Sequence, residues 1–314
     1  MKGWLVGLCA AWLTASALAW PLAWVSWVMD GDTVLLVPDG GHEPIKLVRR
    51  KAASPDEVEW DPMNNFIDPN AMNGIDAVVN LAGATTGRIP WTKQYKKEIV
   101  ASRLQSTRLL VDAILESENK PKVFVSGSAS GFYGDVKDEL LDEHSPKGTG
   151  FLSDLSAQWE QEALRAQRDV RVVLIRTTMV MSRQLGALGR LLPLIKLGIG
   201  GALGNGKQWW AWISQVDEAA AIIHLINTPL ASGAYNLTAP EPATCGQIVK
   251  ALAKELNRPA LINVPAFALK LLIGEAAKEL LLCSQKMTST KLESTGFKFT
   301  HPDLKSAVRW VVRG

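Results

Sequence analysis

The stretch Ala77-Val78-Val79-Asn80-Leu81-Ala82-Gly83-Ala84 constrains the fold more than any other part of the chain. A short apolar run, rich in β-branched residues, that stops at Asn and then Gly reads as a buried parallel strand delivering its C-terminal end to a site. In open α/β sheets, ligands bind at that end. Small residues there let a flat ring or a phosphate approach the backbone, and Asn80 offers both a donor and an acceptor. An ordinary strand closing in a tight turn is the alternative reading of this stretch alone.

Its neighbours extend the pattern. Lys93 to Glu116 carries Ile99, Val100, Leu104, Leu110, Val111, Ile114 and Leu115 at helical spacing. A second buried-strand run, Lys122 to Ser126, then passes into the small and hydroxyl residues Gly127-Ser128-Ala129-Ser130 and on to Tyr133-Gly134. Strand, helix and strand make a βαβ unit.

Taken together, NLAG after a strand, then Trp91, Lys96, Ser102-Arg103 and Thr107, then the serine run ending in Tyr133-Gly134, resemble the atypical, epimerase-like branch of the extended short-chain dehydrogenase/reductases. The resemblance covers roughly residues 40–312. It implies an α/β fold, a Rossmann-like doubly wound parallel sheet with a smaller C-terminal α+β substrate region. It implies NADP as cofactor and a small molecule as substrate. Asn80, Leu81, Ala82, Gly83, Arg88 and Ser126 fall on cofactor-binding positions, and Ile45 to Arg50 resembles the second Rossmann strand. Arg49 and Arg50 at its end would suit a 2′-phosphate, which Asp or Glu would repel; solvated strand-end charges are the alternative.

Two parts of the family pattern are missing. No glycine-rich G-x-x-G-x-x-G turn precedes the Ile45 strand, so the first βα unit reads as missing or replaced, and with it the seat for a pyrophosphate. The helix that should carry Tyr-x-x-x-Lys, around Leu152 to Glu160, has neither residue. Ser128 beside the usual hydroxyl position, and Glu160 of the Trp159-Glu160 pair, are the candidate catalytic groups; a solvated helix glutamate is the alternative for Glu160.

The first residues differ in character. Lys2, an apolar run through Leu13 and Ala17-Leu18-Ala19 read as a secretory signal, too short for a stable membrane span. Val25 to Leu35 resembles the opening strand pair of a thermonuclease-like domain, with Asp30 and Asp32 in its acidic positions, but no second acidic cluster follows. Residues 1–39 are therefore expected to be a foreign segment, 40–177 a nucleotide-binding domain, and 178–314 a substrate region in which 207–240 returns to the sheet. The family implies the cytoplasm, whereas the signal-like start implies export.

A net charge of +3 over 314 residues with dispersed basic groups gives no footprint for nucleic acid. Three cysteines and four histidines stand singly, without metal-ligand spacing. The glycine-rich run 198–206 follows a helix and no strand, so it reads as a loop over the pocket. The tryptophans of Lys207 to Glu218 would stack on a planar ligand or pack a core, and the following helix would be capped by the acid. Gly296 to Phe299 reads as a strand before a closing amphipathic helix. The function implied is an NADP-linked oxidoreductase or epimerase-like protein with impaired cofactor binding. A non-catalytic nucleotide-binding sensor and a secreted nuclease fragment are the alternatives.

Overall fold

Residues along each strand alternate between two apolar layers. The computed structural model describes residues 34–38, 44–183 and 186–313. In chain order the first strands are β1 (Val34–Pro38), β2 (Ile45–Val48), β3 (Glu57–Asp61), β4 (Phe66–Ile67), β5 (Ile75–Asn80) and β6 (Val123–Ala129). There follow β7 (Leu140–Leu141), β8 (Arg171–Thr177), β9 (Met179–Met181), β10 (Trp209–Trp210), β11 (Trp212–Ser214), β12 (Gly233–Leu237), β13 (Ala243–Thr244) and β14 (Lys286–Met287). The helices are α1 (Lys93–Glu116), α2 (Phe151–Leu164), α3 (Gly186–Lys196), α4 (Gln215–Ile226), α5 (Cys245–Glu255), α6 (Ala266–Ile273), α7 (Thr290–Ser294) and α8 (Leu304–Arg313).

The main sheet runs β12-β8-β6-β5-β1-β2-β3-β4. The pairs β5–β6, β6–β8, β8–β12 and β2–β3 are parallel. This is the doubly wound order with an inversion inside it, and the two-residue edge strand β4 also runs antiparallel to β3. β1 occupies the place of the first Rossmann strand but runs antiparallel to both neighbours, with Val34 opposite Asn80 on one side and Leu47 on the other. Leu36 pairs with Ile45, so β1 and β2 form a hairpin. Residues 39–44 are too few for the crossover helix that a parallel arrangement needs. A strand of opposite polarity thus replaces the first βα unit, and Val34–Pro38, grouped by sequence with the N-terminal segment, lies inside the sheet. The signal-like start, the foreign stretch as far as residue 33, and Asp30 and Asp32 lie outside the described residues.

Leu36, Val78, Phe124 and Leu174 face α1 and α2, while Leu35, Val79, Val125 and Val173 face α4. The C-terminal region has a separate core in which Leu188, Trp210, Trp212, Ile248, Leu252 and Val308 meet. The tryptophan segment therefore divides. Trp210 and Trp212 are core, and Trp209 lies under Lys286 with its Nε1 bonded to Asp138. The α4 cap is Ser214, whose hydroxyl accepts from the Asp217 amide and donates to the Asp217 carboxylate. Residues 296–299 do not form a strand. Phe297 and Phe299 instead make an edge-to-face pair that covers His224 and α4, so side-chain packing displaces sheet pairing there. Thr244 caps α5 in a reciprocal capping box with Gln247.

Candidate active site at the strand ends

Asn80, the last residue of β5, is fully buried and directs the loop that follows it. Its Oδ1 accepts the Ala82 amide at 3.1 Å, and its Nδ2 donates to the Thr107 hydroxyl at 2.9 Å. Thr107 also accepts from Trp159 Nε1 at 2.8 Å, so one hydroxyl ties β5, α1 and α2 together. Ser102 accepts the Ala84 amide, and Arg103 donates to the Ala84 carbonyl. Farther along, Tyr95 and Trp91 donate to the Thr85 and Thr86 carbonyls. Trp91 just before α1, with Ser102-Arg103 and Thr107 on it, is thus the pattern needed to clamp the loop after NLAG.

Gly83 and Gly127 are small because protein fills the space beside them. A Cβ on Gly83 would lie 2.8 Å from the Arg103 guanidinium carbon, and one on Gly127 would lie 2.7 Å from the Trp159 ring. Arg103 also lies over the Trp159 ring at 5.3 Å, and burial lowers its pKa to about 10. Sequence reasoning quoted Ser102, Arg103 and Thr107 only as family markers and assigned them no part in the site. Their spacing on one helix was the signal available.

Ser126 lies beside Asn80 on β6 and is fully buried. Ser128, two residues on, donates to Glu160 Oε1 at 2.6 Å. Glu160 is buried and held two-pronged by Arg176, with Nε to Oε1 at 2.8 Å and Nη2 to Oε2 at 2.9 Å. Arg176 Nη1 donates to Tyr133 Oη at 2.8 Å, and Tyr133 donates to Asn236 Oδ1 at 2.7 Å. The network joins β6, α2, β8 and β12. Burial opposes the charge on Arg176, but its bonds to Glu160 and Tyr133 outweigh that and raise its pKa. Burial is also the main reason the Tyr133 hydroxyl is pushed up to about 12, so it stays protonated at neutral pH. Both predicted catalytic groups are therefore brought together, with the Glu160 carboxylate fully engaged by a guanidinium and a hydroxyl.

The remaining candidates lie apart from that network. Arg49 and Arg50 follow β2 at the same sheet edge as Asn80, and Arg50 makes a two-pronged pair with the Glu57 carboxylate. Arg88 is exposed and stacks at 4.8 Å on Tyr95. Leu81 is half-buried and Ala82 buried. Beyond the network, Glu218 at the start of α4 is buried against the end of β8, where it accepts from the Thr177 hydroxyl at 2.6 Å. Its Oε2 has no hydrogen-bond partner, and burial pushes its pKa up to about 8. Sequence reasoning passed over it.

A parallel sheet with a buried asparagine and serines at the ends of adjacent strands, clamped by two helices, defines a nucleotide-type α/β site. Residues 34–238 match the NAD dependent epimerase/dehydratase family, and residues 264–311 match a domain of unknown function. The chain belongs to the NAD dependent epimerase/dehydratase family. It is 37% identical over 270 residues to an epimerase family protein of Mycobacterium leprae, spanning 86% of this chain and 87% of that protein. It is 38% identical over 260 residues to a chloroplastic epimerase family protein SDR39U1 homolog of Arabidopsis thaliana, spanning 82% and 72%. Human epimerase family protein SDR39U1, solved with NADPH, superimposes with a TM-score of 0.78 at 29% identity, covering 85% of this chain and 90% of that one. A nucleoside-diphosphate sugar epimerase from Corynebacterium glutamicum superimposes with a TM-score of 0.71 at 28% identity, covering 93% of this chain and 61% of that one.

Proposed function

We propose that the chain is an NADP-linked oxidoreductase or epimerase-like protein acting on a small molecule, with a weakened grip on the cofactor's diphosphate. The observation that carries this reading is the buried polar pair Asn80, which ends β5, and Ser126, its register partner within β6, with the NLAG loop clamped beside them. The likeness to a relative solved with NADPH supports the choice of cofactor. When bound, a nicotinamide cofactor supplies the hydride chemistry.

On this reading Arg49 and Arg50 would meet a 2′-phosphate, Arg50 only by leaving the Glu57 carboxylate that holds its guanidinium, and the Asn80 to Gly83 turn with Ser126 would border the nicotinamide half. For the diphosphate, the antiparallel β1 brings the chain into the sheet at Val34, where a glycine-rich turn would lead out of it into a helix. No backbone amides of a helix N-terminus stand there among the described residues. What the chain's own residues do is hold the loop after β5 rigid and brace β6, β8 and β12 through the Ser128–Glu160–Arg176 group.

Losing several charge-assisted contacts to a diphosphate, at about 1.5–3 kcal/mol each, should leave NADPH bound weakly. Calorimetric titration of the full chain should give a dissociation constant weaker than micromolar, and micromolar or tighter binding overturns the impairment. A non-catalytic nucleotide-binding role is the second reading. It is favoured by the engagement of Glu160 with Arg176 and by the absence of Tyr-x-x-x-Lys from α2.

A further inference from the structure

We propose that the face built from the end of α3, the chain after it, residues 256–262 and α6 seats on the surface of an anionic lipid membrane. The two stretches run side by side. The Val264 amide donates to the Ala202 carbonyl at 2.9 Å, the Gly204 amide donates to the Val264 carbonyl at 2.8 Å, and the Ala202 amide donates to Asn263 Oδ1 at 2.9 Å. A Cβ on Gly201 would collide with the Ile262 carbonyl, so the glycine-rich loop is drawn tight against its neighbour. From this shared base large apolar side chains point outward: Leu197 is 72% exposed, Leu261 82%, Phe267 73%, Leu271 84% and Leu272 71%. In α6 only Leu269 is buried. Single exposed leucines are ordinary, but such a group on adjacent segments marks a surface that meets something.

Charge selects the partner. Residues 194–206 and 256–274 carry Lys196, Arg258 and Lys270 and not one Asp or Glu. All three cations are exposed. The carboxylates bordering the face are already matched, Glu255 by Arg313 at 2.6 Å and Glu275 by Lys96 at 2.8 Å. An isologous contact with a second copy would set these cations against themselves. Apolar side chains interleaved with unopposed cations fit phospholipid headgroups over an acyl layer. At eight residues, α6 is about 12 Å long against a hydrocarbon core of about 30 Å, so it would lie on the bilayer. Among the described residues no helix is long and apolar enough to cross a membrane. This inference is independent of the cofactor reading.

The test is flotation of the full chain with vesicles of phosphatidylcholine alone and of phosphatidylcholine with phosphatidylglycerol. The chain should float with the anionic vesicles, not with the neutral ones, and high salt should release it. Reversing two charges in Arg258→Glu/Lys270→Glu should weaken binding about tenfold or more, and Leu271→Ser/Leu272→Ser should abolish it. All four positions are exposed, so circular dichroism should report an unchanged fold; if a variant does misfold, the wild-type comparison of vesicles and salt still decides. No flotation with anionic vesicles, equal flotation with neutral ones, or unchanged binding in both folded variants overturns the proposal. So does a concentration-dependent dimer that Leu271→Ser/Leu272→Ser abolishes.

Discussion

Glu218 combines a buried carboxyl, a single hydroxyl donor and an oxygen with no partner. Its pKa rises from 4.5 to about 8 on folding. The native state therefore keeps a proton that the unfolded chain loses, so stability is fully present below pH 4.5 and declines as pH rises from there to about 8. Each unit of difference is worth about 1.4 kcal/mol, less whatever local relaxation recovers. Glu218→Gln keeps an acceptor for Thr177 and removes the titration, so it should flatten the melting temperature across that interval and raise it at the alkaline end. Parallel wild-type and variant profiles would show that the carboxyl is not buried as described. Glu160 tests the opposite case, a buried charge that is fully matched. Glu160→Ala leaves the Arg176 guanidinium without its partner and should cost about 3–5 kcal/mol in urea titration. A loss near zero would mean that the brace across β6, β8 and β12 is not a brace.

At the scale of elements, the inversion of β1 concentrates the consequences for ligand binding. Replacing residues 1–39 by a parallel strand, a G-x-x-G-x-x-G turn and a helix would restore the amides and the positive helix end for a diphosphate. NADPH should then bind better than NADH, with Arg50 leaving the Glu57 carboxylate for the 2′-phosphate, and Arg49→Ala/Arg50→Ala should erase the preference. If the repaired chain binds neither nucleotide, or favours NADH with both arginines present, the cofactor reading fails. The regular elements were readable because their signals are local: Lys93 to Glu116 shows its helical period in the residues themselves, and Thr244 its cap. The polarity of β1 was not readable, since a run such as Val34 to Pro38 fits a parallel or an antiparallel strand equally well. Only the shortness of the 39–44 connection constrains it. Of the candidate site, Asn80 and Ser128 at the ends of their strands and Glu160 within α2 were visible as residue types. The Arg176 clamp on Glu160 was not, because it depends on the Ser128–Arg176 register between β6 and β8. Gly296 to Phe299 misled because alternating aromatics fit a strand and a packed coil alike.

For the whole molecule, the return of residues 207–240 to the sheet is what ties the chain after residue 177 to the chain before it. β8 ends at Thr177, yet its parallel partner β12 lies at 233–237, and the helix covering that face of the sheet, α4, lies at 215–226. Arg176 and Tyr133 reach Asn236 on β12, and Arg171 donates to the Leu225 and Ala231 carbonyls. A fragment ending at 177 would leave Val125, Val173 and Ile175 open to water on one face and β8 as an unpaired edge. Each such side chain forfeits about 1.5–3 kcal/mol of burial, and the three together reach the scale of the 5–15 kcal/mol that a domain has to lose. The fragment 1–177 should therefore show no cooperative thermal transition. The full chain should unfold with one midpoint whether followed by tryptophan fluorescence or by far-ultraviolet circular dichroism. Two separated midpoints, or a stably folded fragment, would show that the nucleotide-type sheet and the substrate region fold as independent units.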